Sequence, residues 1–443
     1  MKIKNEKCKM KNLGKVFLLL PLFLSAESFS DIQKDVINSL TYKMAKEKIK
    51  IFKKKLEIVK SKNYGSVDVK YSYAHLFNQP ILKMNTMQPV AVNPVTNLLI
   101  YKEIYTEFPA GPQNIYSFEA VYSYPIFSGF AISNSIEKAK LELIKTKLEA
   151  KNVKRVLILK AAELYSNIYA LNKQIKALKV AKNSLLDAKN QVESLYKEGL
   201  TAKSNVDIIN AKYYELLAKI KEVKSQKNRL LNMLSFLLNK KITKIDGVNI
   251  KQKLPKPNFE KRVDVKALKT ALNISNKDIK LAKSLLYPKV GLQIGLKKEA
   301  QNLFLTKNDY QNIDRSFVGV GIEWSFDLGK KSQIEMAKIA KNIALTNYHN
   351  YLNQIKTEYQ NDLDTLNALK YQLKSAIAEV SARKSYYEEI KAKFNQGLVD
   401  SVKLKDAISN LAIARAKRDY IKSQIFFIKT KLILNSGVSD ANN

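Results

Sequence analysis

The side chains that could do chemistry are few and far apart along the chain. The two histidines, His75 and His349, fall in a predicted strand and a predicted helix, too far apart in the chain's organisation to share a metal ion. No Ser–His–Asp order, phosphate-cradling glycine loop or ligand-spaced cluster accompanies them. The sequence therefore predicts no enzyme, no metal centre and no cofactor.

The residues that do recur are glycines and aromatics at matched spacing. A turn of the type aromatic-Pro-Ile-Phe-Ser-Gly ends at Gly129 and has a degenerate partner ending at Gly329. Two further turns, each an aromatic residue followed by x-x-Gly-Leu, contain Gly199 and Gly397. The first pair is 200 residues apart (129 to 329) and the second 198 (199 to 397). This spacing indicates one large supersecondary unit that is duplicated, since a solenoid repeat is far shorter.

The N-terminus has the order of a secretory signal. Six lysines precede an apolar run at 16–24, and the small residues Ser25 and Ala26 follow it. We predict a signal peptide at 1–26, with a later cleavage site near Ser30 as the alternative. The only cysteine, Cys8, lies before the apolar run, so the mature chain contains no cysteine and no thiol-linked lipid anchor.

The net charge of the chain is +37, and about +32 remains when six lysines and one glutamate of the signal are removed. A polyanion partner is one interpretation of this charge. We favour solvated helix surfaces, because the lysines are spread along every predicted helix and do not alternate with aromatics as a base-stacking surface requires. No nucleic-acid partner is expected.

Period-two alternation predicts two pairs of strands, each of roughly ten residues. The first pair is 66–77 with 115–124, and the Asn-, Pro- and Gln-rich residues 78–114 between them are predicted to form a long loop. The second pair is 288–297 with 316–326. Aromatic residues gather at the strand ends, as in the girdles of membrane barrels.

Apolar residues at steps of three and four predict very long helices after each strand pair. Gly199 and Gly397 are expected to end the two longest ones in a left-handed turn. The chain then divides into repeats at 27–250 and 251–443. The predicted helices are 32–62, 131–195 and 203–238 in the first repeat, and 262–286, 330–393 and 401–436 in the second.

Four motifs in order make the chain similar to the TolC-type outer membrane efflux protein family, the outer membrane factors. They are the turns at 124–129 and 324–329, the two x-x-Gly-Leu turns, the helix start Arg262-Val-Asp264, and the helix-to-strand junction Leu286-Tyr-Pro288. Valine follows Arg262 where the family usually has proline. The resemblance covers nearly the whole mature chain.

This resemblance implies a mainly α fold with a membrane β-barrel contribution. Each repeat would give one β-hairpin and one long coiled α-helical hairpin. Four strands are too few to close a barrel in hydrocarbon, and three chains would supply twelve. The implied assembly is a homotrimer with a 12-stranded barrel in the outer membrane of a Gram-negative bacterium and an α-helical tunnel in the periplasm.

The implied function is the outer membrane exit channel of a tripartite efflux pump or of a type I secretion system. Its partners would be a periplasmic adaptor (membrane fusion) protein, an inner-membrane RND or ABC pump that supplies the energy, and outer membrane lipid. The alternative is a periplasmic adaptor or coiled-coil scaffold, which also combines helical hairpins with β-structure. A basic polyanion-binding protein is the third class considered.

The resemblance also assigns expected roles to residues of this chain. Alignment by Gly397 puts Lys403 and Asp406 where relatives often carry two aspartates around a closed periplasmic entrance; Asn205 and Asp207 lie in the comparable region of the first repeat. The expected adaptor-contacting helical tips are Gly199, Leu200, Gly397 and Leu398. The expected barrel-to-helix turns are Pro125, Gly129 and Gly329.

Overall fold

The computed structural model describes residues 26–305 and 313–438, so the predicted signal at 1–25 lies outside the described residues. The chain divides into two compact units. Unit 1 comprises Met1–Leu40, Lys154–Leu254 and Asn361–Leu434. Unit 2 comprises Thr41–Val153, Pro255–Gln360 and Asn435–Asn443.

Helices make up most of the described chain, and two of them have 67 residues each. A helix of that length extends about 100 Å at 1.5 Å per residue. The predicted helix at 32–62 is in fact interrupted, because a 3-10 turn at Val36–Asn38 separates its first two turns from the rest. The α-helices are α1 (Phe29–Asp35), α2 (Leu40–Ser61), α3 (Ala131–Lys197), α4 (Lys203–Leu238), α5 (Val263–Ser284), α6 (Gly329–Asn395) and α7 (Ser401–Asn435).

Unit 2 contains the antiparallel sheet that the alternating segments form. Its strands run in the order β1–β4–β5, and both β6 and β7 pair with β5. β7 ends earlier than the predicted 326, because no ladder partner continues beyond the pair Lys289 and Glu323. The strands of this sheet are β1 (Ser66–His75), β4 (Asn114–Phe127), β5 (Lys289–Ala300), β6 (Ile313–Asp314) and β7 (Phe317–Glu323).

The prediction that 78–114 forms a long loop is wrong. Two further strands, β2 (Ile81–Val92) and β3 (Leu99–Pro109), pair with each other in an antiparallel ladder. The turn between them is held by Asn93, whose side-chain oxygen accepts the N–H of Val95 at 2.9 Å, and by Asn97 with φ of 54°. The Asn and Pro residues that suggested a loop therefore belong in part to this turn, and the apolar residues beside them form the strands.

Helix packing makes the core of unit 1. Buried residues of α3 and α7 recur at steps of three and four, the spacing of a coiled-coil seam. Small residues dominate the seam, which lets the helices approach closely. The cluster consists of Ala177, Ala181, Leu185, Ala188, Val192, Ile209, Ile390, Phe394, Leu404, Ala407, Ile408 and Ala412.

Candidate channel wall and helical tips

The sheet of unit 2 has one apolar face and one polar face. Cross-strand register aligns Val67 with Tyr122, Tyr122 with Ile294, and Ile294 with Val318, so apolar residues continue in rows across four strands. The same register aligns the intervening polar residues on the opposite face. The apolar face consists of Val67, Val69, Tyr71, Tyr73, Tyr116, Phe118, Ala120, Tyr122, Tyr124, Val290, Leu292, Ile294, Leu296, Val318, Val320 and Ile322.

The apolar face is open where a soluble sheet would be covered. Val318, Val320 and Ile322 of β7 are 72%, 64% and 73% exposed. A contiguous apolar surface of this kind needs an apolar environment. The outer edges of β1 and β7 have no strand partner within 26–305 and 313–438, so their backbone groups remain available for pairing.

The polar face carries both signs of charge. Lys70, Glu119 and Lys297 are adjacent in one cross-strand row, and Lys297 forms an ion pair with Glu299 at 3.2 Å. Asp68 and the register pair Lys289–Glu323 complete the set. The large positive charge of the chain is therefore not concentrated on this face of the sheet.

The two glycines of the predicted barrel-to-helix turns differ in conformation. Gly129 has φ of 61°, and a Cβ on it would lie 2.6 Å from the carbonyl oxygen of Ser284. Gly329 is instead the first residue of α6, and its N–H donates to the Asp327 carboxylate at 2.9 Å. Only the first turn needs glycine for its backbone conformation and for the close approach of α5.

Pro125 lies inside β4 and not in the turn itself. It pairs with Gly291, and the ladder is shifted by a bulge between Pro125 and Phe127. A proline removes a ladder donor, so a bulge is a common place for it. Near the same end of the sheet, the indole N–H of Trp324 donates to the carbonyl oxygen of Leu286 at 3.1 Å, which ties β7 to the end of α5.

The two helical tips have identical capping geometry. In the first, Leu200 N–H donates to Leu195 O at 2.8 Å and Gly199 N–H to Tyr196 O at 3.0 Å. These two bonds define a Schellman cap, with Gly199 at φ of 75°. Leu200 is 70% exposed.

The second tip repeats every part of this arrangement. Leu398 N–H donates to Lys393 O at 2.9 Å and Gly397 N–H to Phe394 O at 3.0 Å, with Gly397 at φ of 74°. Leu398 is 68% exposed. Each long helix thus ends by presenting a bare leucine at its tip.

Lys403 and Asp406 lie in the first turns of α7, and both are exposed. Their side chains do not pair with each other: Asp406 lies 3.2 Å from Lys405. The backbone N–H of Lys403 donates to the Asp400 carboxylate at 2.9 Å, so Asp400 caps this helix. Sequence comparison overlooked Asp400, although an aspartate three residues before Lys403 is a recognisable N-cap.

Residues of α4 contribute charge to the same surroundings. Lys212 and Glu215 form an ion pair at 2.6 Å, and this contact raises the pKa of Lys212, with a smaller contribution from Asp406. The same contact, with Lys405 as a smaller cause, lowers the pKa of Glu215. Asn205, by contrast, donates to the Thr201 hydroxyl at 2.9 Å and so helps to hold the tip. Asp207 is exposed on the same helix.

The motif Arg262-Val-Asp264 proves to be a buried ion pair. Arg262 Nη2 and Nε donate to the two carboxylate oxygens of Asp264 at 2.6 Å and 3.1 Å, and the Tyr351 hydroxyl donates to Asp264 at 2.8 Å. Both charged residues are buried. The sequence indicated a helix start here, and it is one, but it gave no sign of the burial or of Tyr351.

No group of histidine, cysteine, aspartate and glutamate that could hold a metal occurs within the described residues. His75 bonds to the Asn114 side chain at 2.8 Å, and His349 packs edge-on to Tyr348 with ring centroids 5.4 Å apart. Among the described helices, none combines the length and the apolar character needed to cross a membrane.

Comparison with known proteins adds three structures of similar fold. The CmeC outer membrane channel of Campylobacter jejuni matches with a TM-score of 0.73 at 17% identity, over 92% of this chain and 86% of CmeC. VceC, an outer membrane protein of Vibrio cholerae, gives 0.69 at 15%, over 92% and 96%. The open state of the MtrE outer membrane channel of Neisseria gonorrhoeae gives 0.68 at 14%, over 92% and 88%.

At the sequence level, no curated protein matches the chain. Residues 256–424 match the family model described as outer membrane efflux protein. This segment contains the buried Arg262–Asp264 pair, the second strand pair, α6 with its tip, and most of α7. The fold and the motifs thus agree, as the TolC-type turns predicted: residues 256–424 belong to the outer membrane efflux protein family, and the chain has the fold of the outer membrane channels.

Proposed function

We propose that this chain is the outer membrane exit channel of a tripartite export system. The observation that carries the proposal is the sheet of unit 2, which has one exposed apolar face, one charged face and two unpaired edges. A wall between lipid and water requires this combination of faces. The helical tips of unit 1 give the same chain a second contact surface.

Closure of the sheet requires further copies. β1, β4, β5 and β7 provide four strands, and the free edges of β1 and β7 are antiparallel-compatible ends of one wall. Three copies would place β1 of each beside β7 of the next and close twelve strands with no edge left in hydrocarbon. The charged face would then line the lumen, with Lys70, Glu119 and Lys297 in a ring.

The long helices would continue the duct into the periplasm. We assign the tips at Gly199–Leu200 and Gly397–Leu398 to contact with a periplasmic adaptor, because each presents an exposed leucine on a well-capped turn. Lys403 and Asp406, just beyond the second tip, would border the entrance. The energy would come from an inner-membrane pump of the RND or ABC type, since an exit duct binds no energy source itself.

The first test is to extract the outer membrane fraction, measure the oligomer mass and record conductance in a planar bilayer. A trimer with small, rarely open conductance supports a closed exit duct. A deletion strain complemented with the gene should recover export of a substrate dye or toxic compound. A soluble periplasmic monomer without conductance would contradict the channel and return the adaptor interpretation.

The adaptor interpretation is disfavoured by one observation on the sheet. Val318, Val320 and Ile322 are exposed together with the aromatic residues of β1 and β4, and a periplasmic protein would leave this face in water. Burial of apolar surface stabilises by about 25 cal/mol per Å². A soluble scaffold would therefore need a further layer over the sheet.

A further inference from the structure

The paired strands β2 and β3, residues 81–109, form a ribbon that we call the distal ribbon. It begins where the β1–β4 ladder ends at the pair His75 and Asn114, which is the end of the sheet opposite to α2 and α3. Leu76 N–H donates to Gln113 O at 2.8 Å and Ala110 N–H to Pro80 O at 2.7 Å, so the hairpin continues through the junction. At about 3.3 Å per residue, the 12 residues of β2 extend roughly 40 Å.

Nothing of comparable extent covers this ribbon. Within the part of the chain that the structure describes, the extensive pairing of β2 and β3 is with each other. Nearly all their residues are exposed, and at the turn Val95 is 90% and Leu98 68% exposed. A two-stranded hairpin without a further layer is only marginally stable in water. The distal ribbon therefore needs a partner.

Register divides the ribbon into two unlike faces. Leu82 pairs with Phe108 and Thr86 with Ile104, and these residues share a face with Met84 and Ile100. The other face carries three of the four charged residues, Lys83, Glu103 and Glu107, with an ion pair between Lys83 and Glu107 at 3.0 Å. On the first face, which we call the ribbon's apolar face, Leu82, Met84, Ile100 and Phe108 are 50%, 46%, 45% and 44% exposed.

The charge of the ribbon indicates which partner fits. It contains two lysines and two glutamates, so its net charge is zero in a chain of net charge +37. An anionic lipid or saccharide surface would attract lysine clusters, and here Lys83 is already paired and Lys102 stands alone. A neutral apolar face is instead free to approach its own copies without the repulsion that the rest of the chain would cause.

We propose that the distal ribbons of three copies pack their apolar faces together above the mouth of the channel. This inference rests on the proposed function, because closure of the wall through β1 and β7 brings the three ribbons to the same end of one ring. Since β2 follows β1 directly, the ribbons extend the wall beyond the ladder. Their contact forms a collar that narrows the exit.

The absence of cysteine after Cys8 makes a thiol test direct. Met84→Cys puts a thiol on the apolar face, and Met87→Cys puts one three residues away on the opposite face. Met87 is 67% exposed and Met84 46%, so random collision favours Met87. The full-length variants are treated with a short bismaleimide on intact cells, and covalent multimers of the chain are counted.

The expected result is about tenfold more covalent dimer and trimer for Met84→Cys than for Met87→Cys, because packed thiols have a high effective concentration. Adding Ile104→Glu should reduce this yield about tenfold, since three carboxylates would then meet on the apolar face. Adding Tyr105→Glu, on the opposite face of the same strand, should leave it unchanged.

The alternatives give different results. Equal yields for the two thiols, or no multimer from Met84→Cys in intact trimers, would overturn the collar and leave the channel standing. Capture of a different protein by the Met84 thiol would also overturn it in favour of a foreign partner. A chain that is not oligomeric in the outer membrane would contradict the collar and the proposed function together.

Discussion

The backbone of Gly129 lies directly against the last turn of α5, with its missing side chain aimed at the carbonyl oxygen of Ser284. A Cβ there would stand 2.6 Å from that oxygen and 2.8 Å from Tyr287 Cβ. The next residue, Phe130, also has positive φ, at 67°, and its ring meets Tyr287 edge-on at 5.6 Å. The turn from sheet to helix is thus fixed by contact with α5 as well as by its own conformation.

We expect Gly129→Ala to lower the stability of the folded chain. Backbone strain at positive φ costs at least about 1 kcal/mol, and the close approach to Ser284 adds to it. The measurement is the melting temperature of the detergent-solubilised protein. Gly329→Ala is the matched control, because Gly329 begins a helix and a Cβ there would meet only the Asp327 side chain, at 3.2 Å. Equal losses in the two variants would contradict the assignment of the strain to Gly129.

The tips yield a prediction about export without a change in stability. Leu200→Asp and Leu398→Asp each replace an exposed apolar contact with a charge, and exposed substitutions usually change stability by less than about 0.5 kcal/mol. We expect trimer abundance to stay constant while export falls about tenfold or more, the effect of losing about 1.4 kcal/mol of adaptor binding. Glu198→Gln, an exposed neighbour of the first tip, is the control. Normal export by both aspartate variants would show that the adaptor contacts another surface.

The sequence was most informative where one residue type is required by the backbone. Gly199 and Gly397 were recognisable as helix ends, because a left-handed cap favours glycine and the following leucine recurs in both repeats. Gly329 shows the limit of that reasoning. It aligns with Gly129 in sequence, yet Asp327 begins the helix in its place, so a shared residue type concealed two different conformations.

Longer-range contacts were not recoverable from local patterns. The burial of Arg262 and Asp264 depends on Tyr351, which is almost ninety positions away in another helix, so no window of sequence contains it. The distal ribbon could have been found. Tyr101, Glu103, Tyr105 and Glu107 are the polar-face members of an alternating strand, and Asn93 to Asn97 provide a turn. The Asn and Pro content outweighed that alternation in the prediction of a loop.

The buried ion pair predicts an asymmetry between single and double substitutions. Asp264→Ala would leave the Arg262 guanidinium buried without its carboxylate, at a cost of about 3 to 5 kcal/mol. Replacing both partners with apolar residues of similar size, as in Arg262→Met with Asp264→Leu, removes both charges and should cost clearly less. Thermal unfolding of the three purified proteins measures the difference. A double variant as unstable as Asp264→Ala would mean that the pair's geometry itself, and not charge balance, holds this segment.

The N-terminal segment predicts a stability effect within unit 1. Phe29 packs edge-on against Tyr165 and Phe426, with centroids 5.5 Å and 5.1 Å apart, and Ile32 beside it is fully buried. We expect Phe29→Ala to cost about 3 kcal/mol, the lower end for a large aromatic, because its own side chain is only partly buried. Limited proteolysis and melting temperature report the change. Phe52→Ala, a partly buried aromatic on α2 of unit 2, tests whether the loss is specific to the unit 1 contact.

Lys429 predicts a pH dependence on the alkaline side. Its ammonium donates to Ile250 O at 2.6 Å and Gln252 O at 3.0 Å, and burial, with a smaller effect of Lys370, lowers its pKa below the ordinary 10.5. Between the lowered pKa and 10.5 the unfolded chain binds more protons at this site than the folded chain does. The contribution of Lys429 to stability therefore rises as the pH rises through that window. Lys429→Met should remove this rise, whereas the exposed Lys43→Met should keep it, and melting temperatures measured up to pH 10.5 distinguish the two. A wild-type curve parallel to that of Lys429→Met would mean that the lysine keeps its proton with equal ease in both states.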